Sequence, residues 1–369
     1  MIRVKVGVIT FHSANNYGAT LQAWSLQKVL KDMGIDTGII NYHPPIIDGL
    51  YDPMKLKVGL SRQVKKATLY IRNRKSLIRY KKFHSFLKRN FNLIGDYTSY
   101  KELKSANFNL DAYITGSDQV WNPSHIGGFN PAYFLDFVKE GKKKISYAAS
   151  IGTEYIDVRY KDKMKKSLET FTSISIRERS SKDAVESLVD KPVEVVLDPT
   201  LLLNKEDYDE IKVKSKIKKA YILLYSIEKN PELIAFANKI SVALGLPILQ
   251  RRPGHELINQ LEPFYTADTG EFLGYVESAE CVITNSFHGT VFSILYGKPF
   301  VSMLHSDTGS RTEDLLNELG LSSHLLHRLS DFDDFDMFRY EDRDEVVRKI
   351  EKLKGKSLEF LRGSLSIDS

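Results

Sequence analysis

The sequence predicts an α/β fold in two domains. Three observations lead there: a chain of 369 residues exceeds one ordinary core. Short apolar runs of the buried-strand type recur along it, each emptying into a polar turn and then a stretch with helical spacing. A Lys- and Glu-rich segment at 204–219 interrupts that pattern, and a fresh one begins after it. The expected domains are therefore 1–203 and 204–340, with a C-terminal helix and tail at 341–369.

Residues 4–10 form an apolar strand that opens into FHSANNYGATLQAWSLQKVLKDMG, where Asn15 and Asn16 are good helix caps and Gly34 a stop. Residues 35–41 then complete a βαβ unit. The loop between is not GxGxxG, which disfavours a dinucleotide site, yet residues 12–18 lie where open sheets meet ligands. Simple capping explains that loop equally well.

Residues 111–115 are a strand followed by GSDQVWNP. Gly116 permits a sharp turn, Ser117 and Asp118 offer hydrogen-bonding groups, and Trp121 is either a sugar-stacking plane or ordinary packing. KISYAAS and SISI are two further strands with a helix between. The second delivers Arg177, Glu178 and Arg179 to a strand end, either as an anion clamp or as a surface Arg–Glu pair. Residues 193–197 form a strand running into DPTLLL, where Asp198 and Pro199 turn the chain.

In the second domain, 220–226 is a strand, 231–244 a helix and 247–250 a strand ending at Arg251. The chain then reaches ECVITNSFHGTVFSILYGKPFVSM, residues 280–303. Here Cys281 to Thr284 is a buried strand, Asn285 or Ser286 caps a helix, and Gly289 lets the backbone approach a ligand. A turn at the carboxyl end of a parallel strand presents unpaired N–H groups and a positive helix end, which suits an anion. His288 in the first helical turn can pass a proton near neutral pH, or merely pack. SRTEDLLNELGL begins a helix capped by Ser310 with Arg311 in its first turn, and 342–353 is a charged terminal helix.

Composition narrows the class. Hydrophobic content of 42% with 27% charged residues is that of a soluble enzyme. No apolar run approaches a membrane span, and MIRVKVGVITF reads as a strand without a signal-peptide flank, so a cytoplasmic location is expected. Cys281 is the one cysteine, which excludes a disulfide framework. Thirteen Lys or Arg with no acid fall between Pro53 and Gly95, more than the net charge of +6, so the rest of the chain is net negative. Interleaved apolar residues make this stretch an amphipathic basic helical hairpin inserted at about 53–95. It is either an anionic membrane contact through Lys55 to Arg89 or a solvated insertion. Nucleic acid is disfavoured because no recognised binding module surrounds it.

Seven segments in order, NNYGATLQAWSL, ITGSDQVWNP, ISYAASIG, ISIRERSS, VLDPTLLL, GEFLGYVESAECVITNSFHGTVFS and SRTEDLLNELGL, resemble the polysaccharide pyruvyl transferase family in its GSDQVW and NSFHG form. The resemblance implies two Rossmann-like domains facing a cleft, as in GT-B glycosyltransferases. It also implies transfer of the pyruvate unit of phosphoenolpyruvate to a sugar as a ketal, with loss of phosphate. The acceptor would be a lipid-linked or free glycan repeat unit of a surface polysaccharide, met at the inner face of the cell membrane. Many members carry Arg two residues before the motif histidine; here that position is Ser286. Arg311, Arg251 or the pair Arg177 and Arg179 would then supply the missing cation, or the substrate differs.

On this reading His288 is the general acid or base and Arg177 its catalytic partner. Asn285, Ser286, Gly289, Thr290, Arg179, Arg311 and Arg251 bind the donor, and Asn16, Tyr17, Ser117, Asp118, Trp121 and Glu271 face the acceptor. No cofactor is implied beyond the donor, and no metal is demanded because no His/Asp/Glu cluster stands at ligand spacing. The rival readings are a nucleotide-sugar glycosyltransferase of the same architecture and a non-catalytic glycan-binding relative.

Overall fold

Seven strands form the first sheet: β1 (Lys5–Ile9), β2 (Asp36–Tyr42), β3 (Leu93–Tyr97), β4 (Ala112–Thr115), β5 (Lys143–Ala149), β6 (Ser173–Ile176) and β7 (Val193–Val195). All pair in parallel, in the order β3-β2-β1-β4-β5-β6-β7. A second parallel sheet, in the order β11-β10-β8-β9, is made of β8 (Ile222–Tyr225), β9 (Ile248–Gln250), β10 (Cys281–Thr284) and β11 (Phe300–Ser302). The computed structural model describes residues 4–46, 74–251, 257–328 and 342–366. Its inner strands AYIT, ILLY and CVIT are buried at every position, as a parallel sheet covered on both faces requires.

Helix α1 (Tyr17–Asp32) follows β1, capped by the Asn16 side chain, which accepts from the N–H groups of Gly18 and Ala19. Thirteen of its sixteen residues are buried, far more than one amphipathic face supplies, because the second domain covers the side that the first sheet leaves open. Tyr17 reaches across and stacks on Phe272 at 4.5 Å, beside Phe264 and Tyr225. One apolar core accordingly runs through both domains.

The basic segment is described only in its second half. Helix α2 (Arg74–Asn90) is one arm, and the chain after it is the edge strand β3; the expected other arm, with Lys55, lies outside the described residues. The buried face of α2 is Leu77, Arg79, Phe83, Phe86 and Leu87. Its charged side chains are partly spent on the second domain: Lys82 pairs with Glu271 at 2.7 Å, Lys75 with Glu262 at 3.0 Å, and Arg89 approaches Asp268 at 3.8 Å. Helix α2 is thus a strap between domains.

Four more helices complete the second domain and its return. Helix α3 (Pro231–Leu244) follows β8; α4 (Thr269–Ser278) precedes β10; α5 (Phe287–Leu295) and α6 (Ser310–Leu319) follow β10 and β11. Gly309, not Ser310, is the N-cap of α6. The terminal helix α7 (Arg343–Leu365) runs twelve residues beyond its expected end, because Ser357, Leu361 and Leu365 dock on the first domain. There Ser357 Oγ accepts the Leu197 N–H at 3.0 Å.

Candidate functional site

The carboxyl ends of β4, β6 and β7 bring Asp118, Arg177 and Asp198 together, and those of β10 and β11 bring Phe287, His288 and Arg311 against them. Asp198 is the hub. Fully buried, it accepts from Thr200 N–H at 3.1 Å and Thr200 Oγ1 at 2.7 Å through Oδ1, and from Arg177 Nη1 at 2.8 Å and Ser117 Oγ at 3.0 Å through Oδ2. His288 Nε2 stands 3.6 Å from Asp198 Oδ1, an electrostatic contact longer than a hydrogen bond.

Four polar atoms of this cluster are buried with no hydrogen-bond partner: His288 Nε2, Arg177 Nη2, Arg311 Nε and Glu178 Oε2. Buried polar groups are ordinarily satisfied, so three N–H or imidazole positions without a protein partner in one cluster make it a candidate anion site. The two guanidinium groups share the ring of Phe287, at 4.6 Å for Arg177 and 5.8 Å for Arg311. Arg177, Arg311, Asp198 and Phe287 line a cavity of about 60 Å³, space for several waters or one small anion.

The charges hold each other in place. Burial pushes the Asp198 carboxyl up, but the His288 imidazole and Arg177 guanidinium outweigh it and hold the group well below the usual carboxylate range. Asp118 is held down in the same way against its own burial, by Arg177, His288 and Arg311. Arg177 is raised, because Glu178, Asp198 and Asp118 overcome the cost of burying it. Arg311 is the exception: burial and repulsion from Arg177 push it down to about 10, more than Asp118, Glu178 and Asp198 recover. It is therefore the cation in the cluster with the least compensation.

His288 is also braced from the first domain. A Cβ on Gly18 would lie 2.2 Å from the His288 Nδ1, so only glycine lets the first turn of α1 meet the imidazole. The amino ends of α1 and α5 thereby converge on one histidine.

The family model described as Polysaccharide pyruvyl transferase matches residues 16–307, from the α1 cap to the loop after β11. The chain belongs to the polysaccharide pyruvyl transferase family. It is a transferase of polysaccharide biosynthesis, and its expected membership is confirmed. No curated protein sequence matches it. Among solved structures, a Listeria monocytogenes protein assigned to the UDP-N-acetylglucosamine 2-epimerases has a TM-score of 0.55 at 11% identity, over 100% of this chain and 98% of that one. The Neisseria meningitidis UDP-GlcNAc 2-epimerase bound to UDP-GlcNAc has a TM-score of 0.50 at 9% identity, over 100% of both chains. Both are GT-B proteins, and at such identities the likeness establishes the fold alone, which is the GT-B-like arrangement expected.

Within this family member several expected site residues have other work. Trp121 is fully buried, stacked on Phe134 at 5.5 Å with its indole N–H donating to Tyr133 O, so it packs and cannot face a sugar. Tyr17 is fully buried too and donates to Ala267 O. Glu271 closes the capping box of α4 and pairs with Lys82. Ser117 holds Asp198 and Ala148 O. Asn16 spends its side-chain oxygen on the α1 cap.

The turn after β10 is similarly self-contained. Asn285 accepts from Ile227 N–H, Ser286 caps α5, and Thr290 bonds Ser302 Oγ and Ser286 O, so these side chains build the turn itself. Gly289 serves packing and not ligand approach: a Cβ there would lie 2.3 Å from Thr284 Oγ1. Arg179 is the surface Arg–Glu pair, exposed and 3.1 Å from Glu318. Arg251 sits over the Tyr225 ring and donates to Ser226 O. Of the expected set, Asp118, Arg177, His288 and Arg311 are brought together.

Asp198, Glu178, Phe287 and Gly18 were not singled out by sequence reasoning as site residues. Asp198 had a signal, an Asp before Pro at a strand end, but it reads equally as a turn. A rim group also emerges: His305 lies 3.6 Å from Glu228, which accepts from Ser306 N–H and Oγ at 2.9 and 2.8 Å. Burial lowers the pKa of His305, with Arg311 and His125 adding to that and Glu228 opposing it. Among the described residues no group of three or more His, Cys, Asp or Glu is placed to hold a metal ion, and no helix is long and apolar enough to cross a membrane.

Proposed function

We propose that the enzyme transfers the pyruvyl group of phosphoenolpyruvate to a pair of sugar hydroxyls in a polysaccharide repeat unit, as a ketal, and releases phosphate. The observation that carries this reading is the set of unpartnered nitrogens on Arg177, Arg311 and His288 in one buried cluster, whose two arginines line a small cavity beside it. Phosphoenolpyruvate carries a carboxylate and a phosphate, and each requires N–H donors or cations. Arg311, under-compensated where it is, gains most from an arriving anion.

The reaction needs one proton delivered to carbon. A sugar oxygen bonds to C2 of the donor as the C3 methylene takes a proton and becomes a methyl group, and the proton that this hydroxyl sheds restores the one given to C3. The C2–phosphate bond then breaks, the second hydroxyl closes the ring, and its proton leaves with the phosphate. His288, steadied by Asp198 and Gly18, is the proton donor in this scheme. Arg177 and Arg311 meet the donor's charge while Asp118 faces the cleft. With His288 protonated, the three acids and three cations of the cluster balance, so donor selection rests on directed N–H groups and not on bulk potential.

The test is release of phosphate from phosphoenolpyruvate in the presence of a panel of lipid-linked and synthetic glycans. Acceptor-dependent release supports the proposal. Tight binding of a nucleoside diphosphate with no phosphate release would replace it with glycosyl transfer.

The acceptor is proposed to be a glycan repeat unit, lipid-linked or free; a lipid carrier brings in the membrane. In α2, Arg74, Lys81 and Lys88 are exposed, and each basic group near an anionic surface contributes roughly 1 kcal/mol. The chain should sediment with anionic but not neutral vesicles at low salt. Equal sedimentation would end the proposed membrane contact.

A further inference from the structure

Arg79 is a buried cation with no carboxylate among its hydrogen-bond partners in the described residues. It lies on α2, 6% exposed, and donates through Nη1 to Tyr17 Oη at 2.7 Å and Tyr265 O at 3.0 Å, and through Nη2 to Asn15 O at 2.8 Å. Its guanidinium also stands over the rings of Tyr17 and Phe83 at 4.8 and 4.6 Å. Asn15 and Tyr17 belong to the first domain and Tyr265 to the second, so one side chain ties the β1–α1 loop to the opposite domain. Tyr17 completes the tie by donating to Ala267 O at 3.1 Å.

The residue after Tyr17 is Gly18, whose Cα bears directly on the His288 ring. Any slackening of Asn15 to Tyr17 therefore reaches the imidazole through one peptide unit. We infer that Arg79 is a positioning residue for the transfer: it pins the Asn15–Gly18 turn across the domain boundary, and that turn holds His288 against Asp198. Arg79 does not line the donor cavity. The inference rests on the proposed role of His288 as proton donor.

The test pairs Tyr17→Phe, which deletes the hydroxyl link but keeps the ring packing, with Arg79→Lys and Arg79→Met. Each is expected to lower kcat for phosphate release about 10-fold with KM for phosphoenolpyruvate within about 2-fold of the parent, as loss of orientation predicts. The double variant Tyr17→Phe with Arg79→Met should be no worse than Arg79→Met alone, since both cut one network. A second reading is independent of turnover: the His288 imidazole signals in a histidine-labelled NMR titration, assigned by their loss in His288→Ala, should shift in Tyr17→Phe. Parent kcat and an unmoved His288 titration in Tyr17→Phe and Arg79→Lys, with only the melting temperature lowered, would overturn the inference. Should the parent itself release no phosphate, the proposed reaction fails, and the NMR arm alone still decides whether Arg79 positions His288.

Discussion

Replacing His288 by Ala lowers turnover of phosphoenolpyruvate by a factor of about 100 or more, the usual range for loss of a positioned general acid. The chain should still fold, because Asp198 keeps four other hydrogen-bond donors: Thr200 N–H, Thr200 Oγ1, Ser117 Oγ and Arg177. That separation makes the variant informative. Circular dichroism and the melting curve should stay close to the parent while phosphate release collapses, and donor binding by calorimetry should weaken less than turnover. Asp198→Asn is the harsher change. It leaves buried Arg177 short of its closest carboxylate, and breaking one partner of a buried pair costs about 3–5 kcal/mol. Because the folded carboxyl of Asp198 is depressed, its stabilising share is present above the ordinary carboxylate range and is lost as pH falls through the folded value. The parent should thus lose stability in acid more steeply than Asp198→Asn. Undiminished turnover in His288→Ala would remove the proton donor from the scheme.

Arg311→Met should weaken donor binding roughly 10- to 100-fold, the magnitude of a lost charge-assisted contact, and yet raise the melting temperature of the free enzyme. The reason is the cation's poor compensation. Its pKa falls from the ordinary guanidinium range to about 10 because burial and Arg177 oppose the charge. Below that value folded and unfolded chains both keep the proton and the cost is complete; between the two values the folded chain sheds it and the cost fades. Removing the charge recovers about 1–3 kcal/mol, a few degrees in a protein of this size. Phosphoenolpyruvate should raise the melting temperature of the parent and leave that of the variant unchanged. A variant that melts lower and is still stabilised by the donor would show that Arg311 serves structure and not the ligand.

The opposite behaviour of the neighbouring arginines separates their roles. Arg177 is tied to Asp198 at 2.8 Å and to Glu178 at 3.1 Å, so it organises the cluster before any ligand arrives. Arg311 lies 3.9 Å from Asp118 and donates only weakly, to Thr308 Oγ1 at 3.3 Å, which leaves it free to turn toward an anion. On the proposed function, the turn after β10 does without the arginine that many family members carry at the position of Ser286 because α6, one strand further along the chain, would supply the cation.

Much of the architecture was legible in the residues. Strands at 173–176 and 281–284 and the helix at 231–244 stand where the sequence places them, because a buried parallel strand and an amphipathic helix each have a local signature, and the structure adds Asn230 and Gly245 as the caps of that helix. The basic segment was legible only in part. Its charges announce a polar helix, but nothing local says that Lys82 and Arg89 face acids nearly two hundred residues away. Trp121 and Tyr17 misled for a related reason: an aromatic beside a polar loop looks the same in sequence whether it stacks on a sugar or on Phe134 and Phe272.

By itself the sequence determined the α/β pattern and the family, and it named Asp118, Arg177, His288 and Arg311 among a larger set of candidates, since strand-end chemistry is written within a few residues of each. Only the tertiary structure decided that Asp198 is the hub, that Gly18 braces the histidine and that Arg79 ties the domains. Those roles arise from contacts between residues far apart in the chain, and what a side chain does there is set by burial and by the charges the fold brings beside it.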